Sequence, residues 1–447
     1  MIQLVNAADL LQEAQSKHRN GDLDGAEKIY NKLLSKNMEN HWLLYLLGTI
    51  QLQKGNTGLA VNLFKQALSI DANHGPSLCN LGYAYKAENR SEDAEKAWLE
   101  ATKSMPEDAD LWANLSAVHC DTGITDKSLE YVEKALTLDP ENKTALWNKS
   151  LCLLQARDWS GWELYEHRGL KQREYAKTLP KWQGERRKTL VIHGEQGLGD
   201  EIMFASCISE AIRDSKKVLI ECEPRLRNLF ARSFPEAIVI GTHDLTGKEW
   251  PKDFKPDCWI AMGSLPGIYR KDGKFPGGQY LLASNEKRKF WRGQLSNRPK
   301  IGLSWQGGVN HTRVEDRSIN PERLKPLLEM DAEFISLQYT PGSMDDAIKL
   351  GLKHWPAAAE PTDYDETAAL VSELDLVITV CCSVVHLCGA LNVPCWTLVP
   401  SRPSWRYGVE GDLPWYKSVK LYRQNTNWDD LIQEVKADAH KRFLQAA

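Results

Sequence analysis

The residues best placed for chemistry lie in the run Gly194-Glu195-Gln196-Gly197-Leu198-Gly199-Asp200. The apolar stretch Thr189–His193 precedes it, and a helical pattern through Ile202, Phe204, Ala205, Ile208, Ala211 and Ile212 comes after it. Strand, glycine turn and helix present backbone N–H groups at a helix start, where an anion is favoured. The same glycines can equally serve only a tight turn. Gly197-x-Gly199 lacks the third glycine of a dinucleotide fingerprint, and the run holds no P-loop lysine. Asp200 adds a carboxylate at the helix start, either as a proton acceptor or as a stabiliser of its own helix. Asn80, Asn114 and Asn148 recur every 34 residues. Such a ladder of amides can bond the backbone of an extended peptide, or it can bridge neighbouring helices. Asp363-Tyr364-Asp365 has carboxylates at a cation-binding spacing, but acidic residues opening a helix account for it better, so no metal is assigned.

These groups need elements to position them, and the first third supplies a period. Gly21, Gly55, Asn89 and Gly123 are 34 residues apart and suit the left-handed backbone of a helix–helix turn. Ala60, Ala94 and Ser128 share that interval, as do Ala67, Ala101 and Ala135, and the bulky Phe64, Trp98 and Val132. Gly48 pairs with Gly82, and Pro106 with Pro140. The next turn position is Arg157, succeeded by an aromatic run from Trp159 to Tyr165 expected either to cap the repeats and dock them to the next domain or simply to fill a core. Residues 1–170 are expected to form this helical solenoid.

Beyond a polar connector, residues 171–187, short apolar strands alternate with helical patterns. Strands are expected at 189–193, 217–221, 237–240 and 258–261, and again at 300–305, 333–337, 376–380 and 395–399. This reads as two α/β lobes, residues 188–292 and 293–447, with parallel sheets and a cleft at their carboxyl ends. The stretch Leu376–Val399 carries no charge over 24 residues, but Gly389, Asn392 and Pro394 mark it as strand, helix and strand rather than a membrane span.

Composition narrows the classes. Apolar residues are 42% and charged residues 26% of 447, an ordinary globular mixture. With 56 Lys and Arg against 60 Asp and Glu, the net charge of -4 speaks against a polyanion-coating protein, so no nucleic-acid partner is expected. Ten cysteines without a C-x-x-C pair suggest a reducing compartment and mostly buried thiols. Met1–Asp9 lacks a basic, then apolar, leader pattern, so a cytoplasmic location is expected.

The first third resembles the tetratricopeptide repeat, and its Asn ladder is similar to that of the protein O-linked N-acetylglucosamine transferases. The remainder carries further motifs in order: His193 to Asp200, Gly302-x-x-Trp305-x-Gly307, Arg317-Ser318, Ser336-Leu337-Gln338, Val377 to Val380 running into His386-Leu387-x-Gly389-Ala390-Leu391-x-x-Pro394, and Trp405-Arg406 to Pro414-Trp415-Tyr416. Together they resemble the bacterial tetratricopeptide-repeat glycosyltransferases with a heptosyltransferase-like catalytic region, some of which modify flagellin. That resemblance implies a GT-B fold and transfer of a sugar from a nucleotide-activated donor, with inversion, without a metal and with no cofactor beyond the nucleotide-sugar.

By the same resemblance Asp200 would be the base. Gln196, Gly197, Gly199, Gly307, Arg317, Ser318, Cys382, Ser383, His386 and Arg406 would surround the nucleotide-sugar, with Trp305 and Gln338 against the nucleoside. The helix starting near Ser383 would offer free N–H groups to phosphate, and each Arg a bidentate clamp or a mere surface ion pair. His386 would donate to an oxygen or be a core residue. Cys381-Cys382 departs from the family, which has an Asp-Thr pair there, so either the donor differs or catalysis is lost. The acceptor would be a protein recruited through Asn80, Asn114 and Asn148. A glycan or lipid-linked acceptor, or a catalytically silent scaffold, are the alternatives. Self-association through exposed repeat faces is also open.

Overall fold

Helices fill the amino-terminal third because small and large residues alternate with the repeat period. The computed structural model describes residues 7–37, 39–122, 125–308 and 314–444, so Gly123 and the first six residues lie outside the described residues. Two units divide the chain, Met1–Cys152 and Leu153–Ala447.

In the first unit the helices run α1 (Ala7–Arg19), α2 (Leu23–Leu34), α3 (His41–Gln53), α4 (Thr57–Ile70), α5 (Gly75–Ala87), α6 (Ser91–Ser104), α7 (Ala109–Thr122) and α8 (Thr125–Leu138), with α9 (Lys143–Gln155) crossing into the second unit. Gly21, Gly55 and Asn89 hold φ of +83°, +80° and +60° at the turns between helices. Asp22 and Asn40 accept backbone N–H bonds that start α2 and α3. A Cβ on Gly48 would strike the ring of Phe64, and one on Gly82 the ring of Trp98. The equivalent pair one repeat later is Ser116 with Val132, both fully buried. A larger residue on the first helix of the pair is thus matched by a smaller one on the second, which keeps the interior close-packed.

The second unit contains two parallel sheets. One is ordered β3 (Ile238–Gly241), β2 (Lys217–Cys222), β1 (Thr189–His193) and β4 (Cys258–Ala261). The other is ordered β10 (Val419–Arg423), β9 (Cys395–Val399), β8 (Leu376–Val380), β5 (Lys300–Ser304), β6 (Glu333–Ser336) and β7 (Lys353–His354). Every pairing is parallel, in register Val191↔Leu219 for β1 with β2 and Leu303↔Ile378 for β5 with β8. The strands β1, β5, β8 and β9 read as apolar runs because they are buried along almost their whole length. The uncharged stretch ending at Val399 folds as β8, the helix Ser383–Leu391 and β9. The polar connector is more ordered than its composition suggests. Lys181 bridges the edge strand at Trp259, and Trp182 is buried and donates its backbone N–H to the Trp259 carbonyl at 2.8 Å.

Within this unit, Trp162 is buried among the rings of Tyr165, Phe204, Trp405 and Trp415, at centroid distances of 5.3 to 6.5 Å. Arg157 holds a left-handed φ of +64°, and its guanidinium donates to the carbonyls of Tyr407 at 3.2 Å and Asp412 at 3.0 Å. Those bonds offset a conformation that a residue with a Cβ otherwise avoids.

Candidate functional site

The glycine run follows β1 directly and is anchored on every side. Gly194 donates its N–H to the Glu221 carbonyl at 2.6 Å. Glu195 is gripped by Arg168 at 2.8 and 2.5 Å and accepts the Gly263 N–H at 2.7 Å. Gln196 sits at a φ of +64° and donates its side-chain amide to Tyr165 Oη at 3.0 Å. Gly197 caps the helix Leu198–Phe204, and the Asp200 carboxylate accepts the Gly197 N–H at 3.3 Å. Asp200 therefore does stabilise its own helix, with one oxygen.

Its other oxygen, Oδ1, accepts from the Arg406 guanidinium, and each side chain is 19% exposed. Arg406 lies over the Trp405 ring at 4.8 Å and approaches Gln196 Oε1 at 3.4 Å. Burial opposes its charge, but Asp200 and Tyr165 beside it leave its pKa raised overall. The next residue, Glu201, is buried and accepts the Glu223 N–H at 2.8 Å. Burial pushes its carboxyl up to about 8, so Asp200 and Glu201 are adjacent carboxyls in different surroundings.

The helix Ser383–Leu391 starts against this turn. A Cβ on Gly199 would lie 3.2 Å from Ser383 Cα and 3.3 Å from His386 Cδ2. Two helix starts, one after β1 and one after β8, thus meet where only a glycine fits. No side-chain oxygen caps the second helix; its Val385 N–H donates to Cys382 O at 3.2 Å, and the Val384 N–H acts on the Cys382 thiol. Ser383 Oγ reaches Tyr364 Oη at 3.3 Å. The Arg317 charge counters the burial that raises Cys381, Tyr339 and Tyr407. Ser318 Oγ is buried and has no hydrogen-bond partner among the described residues. His386 bonds Tyr416 Oη at 3.1 Å through Nδ1, and burial, then the Arg406 charge, pull its pKa down to about 4. It is neutral, and it is a core residue at the rim of the site.

Other expected residues lie elsewhere. Trp305 is 2% exposed and packs in the core beneath β5 and β8. Gln338, 0% exposed, accepts at Oε1 from Trp305 N, Gln306 N and Ser304 Oγ at 2.9 to 3.0 Å. Its amide donates to Gln306 O and Thr340 Oγ1 at 3.1 Å. Every bonding position of that amide is used within the fold, so it shapes the loop after β5 instead of facing a nucleoside. Gly307 lets this loop approach, since a Cβ there would sit 2.5 Å from Cys381 O and 3.1 Å from Cys382 Cβ. Burial pushes the Cys381 thiol up to about 12 and raises that of Cys382, which contacts Thr379 Oγ1 at 3.3 Å. Both are inert packing thiols.

Asp363 and Asp365 are occupied by cations of the chain: Lys287 reaches Asp363 at 2.9 Å and Arg232 binds Asp365 at 2.6 and 2.8 Å. Among the described residues no cluster of His, Cys, Asp and Glu suits a metal. The asparagine ladder also has internal partners. Asn80 donates to Thr49 Oγ1 at 3.0 Å, Asn114 to Tyr83 Oη at 2.5 Å, and buried Asn148 to Ala113 O at 2.9 Å and Ser116 Oγ at 2.7 Å. Each amide bridges to the repeat before it. Two surface hollows, of about 450 and 350 Å³, lie around Asp412–Lys420 and beside Ser209, Arg213 and Phe234, and neither contains Asp200.

Tyr165, Tyr364 and Tyr416, which hold Gln196, Ser383 and His386, belong to no site pattern in the sequence. Tyr165 and Tyr416 carried a signal only as members of aromatic-rich runs, and Tyr364 only as the residue between two acids.

Comparison with known proteins bears on the first unit most directly. Residues 10–123 match the middle TPR-like domain of cilia- and flagella-associated protein 70. This is a tetratricopeptide-repeat protein. It is 27% identical to protein FlbA of Caulobacter vibrioides across 94% of this chain and 82% of FlbA. It is 28% identical to the human protein O-mannosyl-transferase TMTC3 over 120 residues, 26% of this chain and 13% of that one. Among solved structures, a MamA fragment from Desulfovibrio magneticus RS-1 aligns with a TM-score of 0.33 and 20% identity, over 36% of this chain and 90% of that one. Among the described residues no helix is long and apolar enough to cross a membrane.

Proposed function

We propose that the protein is a glycosyltransferase of the GT-B fold, moving a sugar from a nucleotide donor to a hydroxyl of a protein acceptor. The observation that carries this reading is the meeting of Asp200 with an uncapped helix start and the guanidinium of Arg406. Sugar transfer needs a base at the acceptor and positive charge at the leaving group, and these groups supply both. Asp200 takes the acceptor hydroxyl proton as the oxygen forms its bond to the anomeric carbon. The bond from that carbon to phosphate breaks, with its electron pair leaving on the diphosphate. The N–H groups after Cys382, Arg317, Arg406 and the hydroxyls of Ser318 and Ser383 meet that charge. Similarity to a protein O-mannosyl-transferase over 120 residues is consistent with a protein acceptor, and the tetratricopeptide repeats are surfaces for binding one. Asn80 and Asn114 each donate one bond within the repeats and would meet such a segment with the second N–H and the carbonyl oxygen, whereas the Asn148 amide already donates twice. The reaction fits a cytoplasmic enzyme with no resident cofactor.

A silent scaffold is the second reading, favoured by the buried thiols at Cys381-Cys382, where no carboxylate is available. Calorimetry with UDP, GDP, ADP and CMP separates the two. Selective micromolar binding of one diphosphate, followed by sugar transfer to a protein from the matching donor, supports the enzyme. No binding of any of the four sinks it.

A further inference from the structure

We propose that Arg406 is a switchable counter-ion, capping Asp200 in the empty site and leaving it when a diphosphate arrives. This rests on the reading of the site as one for a nucleotide diphosphate.

Arg406 is held by fewer contacts than Arg168, Arg270 and Arg232 of the same unit. Arg168 is locked between Glu195, the Tyr165 carbonyl and Ser264, and Arg270 between Glu210 and the Ser206 and Tyr269 carbonyls. Arg232 binds Asp365 through two nitrogens and Leu282 O through one. Arg406 instead meets Asp200 with one nitrogen, which also approaches Gln196 at a long 3.4 Å, and its guanidinium carbon lies over the Trp405 ring, 4.8 Å from the centroid. Stacking on an indole holds a guanidinium in place while leaving its edge free to exchange partners. The two side chains come from the segments after β1 and after β9, 206 residues apart, and each keeps some exposure.

Both oxygens of Asp200 are engaged in this arrangement, Oδ1 by Arg406 and Oδ2 by the Gly197 N–H. Arg406 thereby covers the Oδ1 edge that an acceptor hydroxyl would approach. A diphosphate at the uncapped start of the helix Ser383–Leu391 brings more negative charge than one carboxylate and offers several oxygens to a guanidinium fork. Arg406 moving to it frees Oδ1 on the side where the acceptor must come. Access of the acceptor hydroxyl to Oδ1 therefore opens only with donor bound, and the enzyme binds donor before acceptor. Loss of the diphosphate product returns Arg406 to Asp200 and resets the site.

By linkage, whatever holds Arg406 on Asp200 opposes diphosphate binding by the same factor. The test is a double-mutant cycle read by calorimetry with the preferred diphosphate, on the full chain. D200N releases Arg406 and is expected to tighten binding about 3- to 10-fold, the range for a partly exposed ion pair. R406Q is expected to weaken it about 10-fold or more, as for a charged hydrogen bond to phosphate. In R406Q, adding D200N is expected to give less than about a twofold change, because the capping partner is gone. R406K serves as a second variant if R406Q does not fold, with the D200N gain reduced. An unchanged Kd in D200N, or a gain that persists undiminished in R406Q, overturns the switch while leaving the diphosphate site standing. No diphosphate binding by wild type or D200N removes the site and the switch together.

Discussion

In both units the fold depends on places where a Cβ does not fit, yet the neighbours that exclude it differ. In the repeats, Gly48 and Gly82 face rings sixteen residues further along the chain, at Phe64 and Trp98. In the second unit, Gly199 faces Ser383 and His386, and Gly307 faces Cys381. The first kind of contact is local and repeated, so it builds a surface of any length. The second is non-local and occurs once, so it builds a site. Stability and chemistry are therefore expected to respond to different substitutions.

The largest expected effect is at the site. Asp200→Asn should lower sugar transfer by about 10²- to 10⁴-fold, the usual worth of a positioned base, while the melting of both units stays within a few degrees of wild type. Retained transfer in D200N would show that the base lies elsewhere. In the repeats the expectation is reversed. Trp98→Val should cost about 3 kcal/mol by leaving a cavity, with diphosphate binding unchanged. Adding Gly82→Ser recreates the pairing seen at Ser116 and Val132 and should recover about 1 kcal/mol, read by urea denaturation. If the pair is no better than Trp98→Val alone, the matched-volume account of the repeats fails.

The same local and non-local contrast explains how much of the molecule is legible in its sequence. The repeats were legible because Gly21, Gly55 and Asn89 mark turns at a fixed interval and each helix packs on its sequence neighbour. Strands such as Leu376–Val380 were legible as short apolar runs, but β7, of two residues, carries no pattern. Asp200 and Arg406 were each recognisable from their motifs. Their contact was not, because nothing local records a partner 206 residues away. Trp305 and Gln338 were recognisable as residues near strand ends, but strand-end position does not say which way a side chain turns. The Asn ladder had a visible spacing and an invisible set of partners, since Thr49, Tyr83 and Ala113 do not repeat as residue types.

A pH experiment sharpens the contrast further. Glu201 titrates near 8 in the folded chain against an ordinary value of 4.5, so the native form holds its proton more tightly than the unfolded form. That contribution is fully present below about 4.5 and is lost as pH rises toward 8. His386 works in the opposite direction: held near 4 against 6.5, it contributes stability above 6.5 that is lost as pH falls toward 4. Between pH 6.5 and 8 Glu201 acts alone of the two, and the second unit should lose on the order of 2 kcal/mol of stability across that window. Glu201→Gln should flatten that slope, while a repeat-unit probe shows no matching change. An unaltered slope in E201Q would assign the pH dependence to another group.

The smallest effect tests the ladder itself. Asn148 is 3% exposed and its amide serves two acceptors, whereas Asn80 and Asn114 are only partly buried and serve one each. Removing a buried donor leaves Ala113 O and Ser116 Oγ without that partner, so Asn148→Ala should cost about 1–2 kcal/mol. Asn80→Ala and Asn114→Ala should cost under about 1 kcal/mol, because water can replace the amide. If the ladder also holds an acceptor segment, the order reverses for binding. Asn80→Ala and Asn114→Ala then weaken capture of the protein acceptor, while Asn148→Ala changes it little because its amide is enclosed. Equal effects of all three on stability, with none on acceptor binding, would make the ladder a purely internal bridge between repeats.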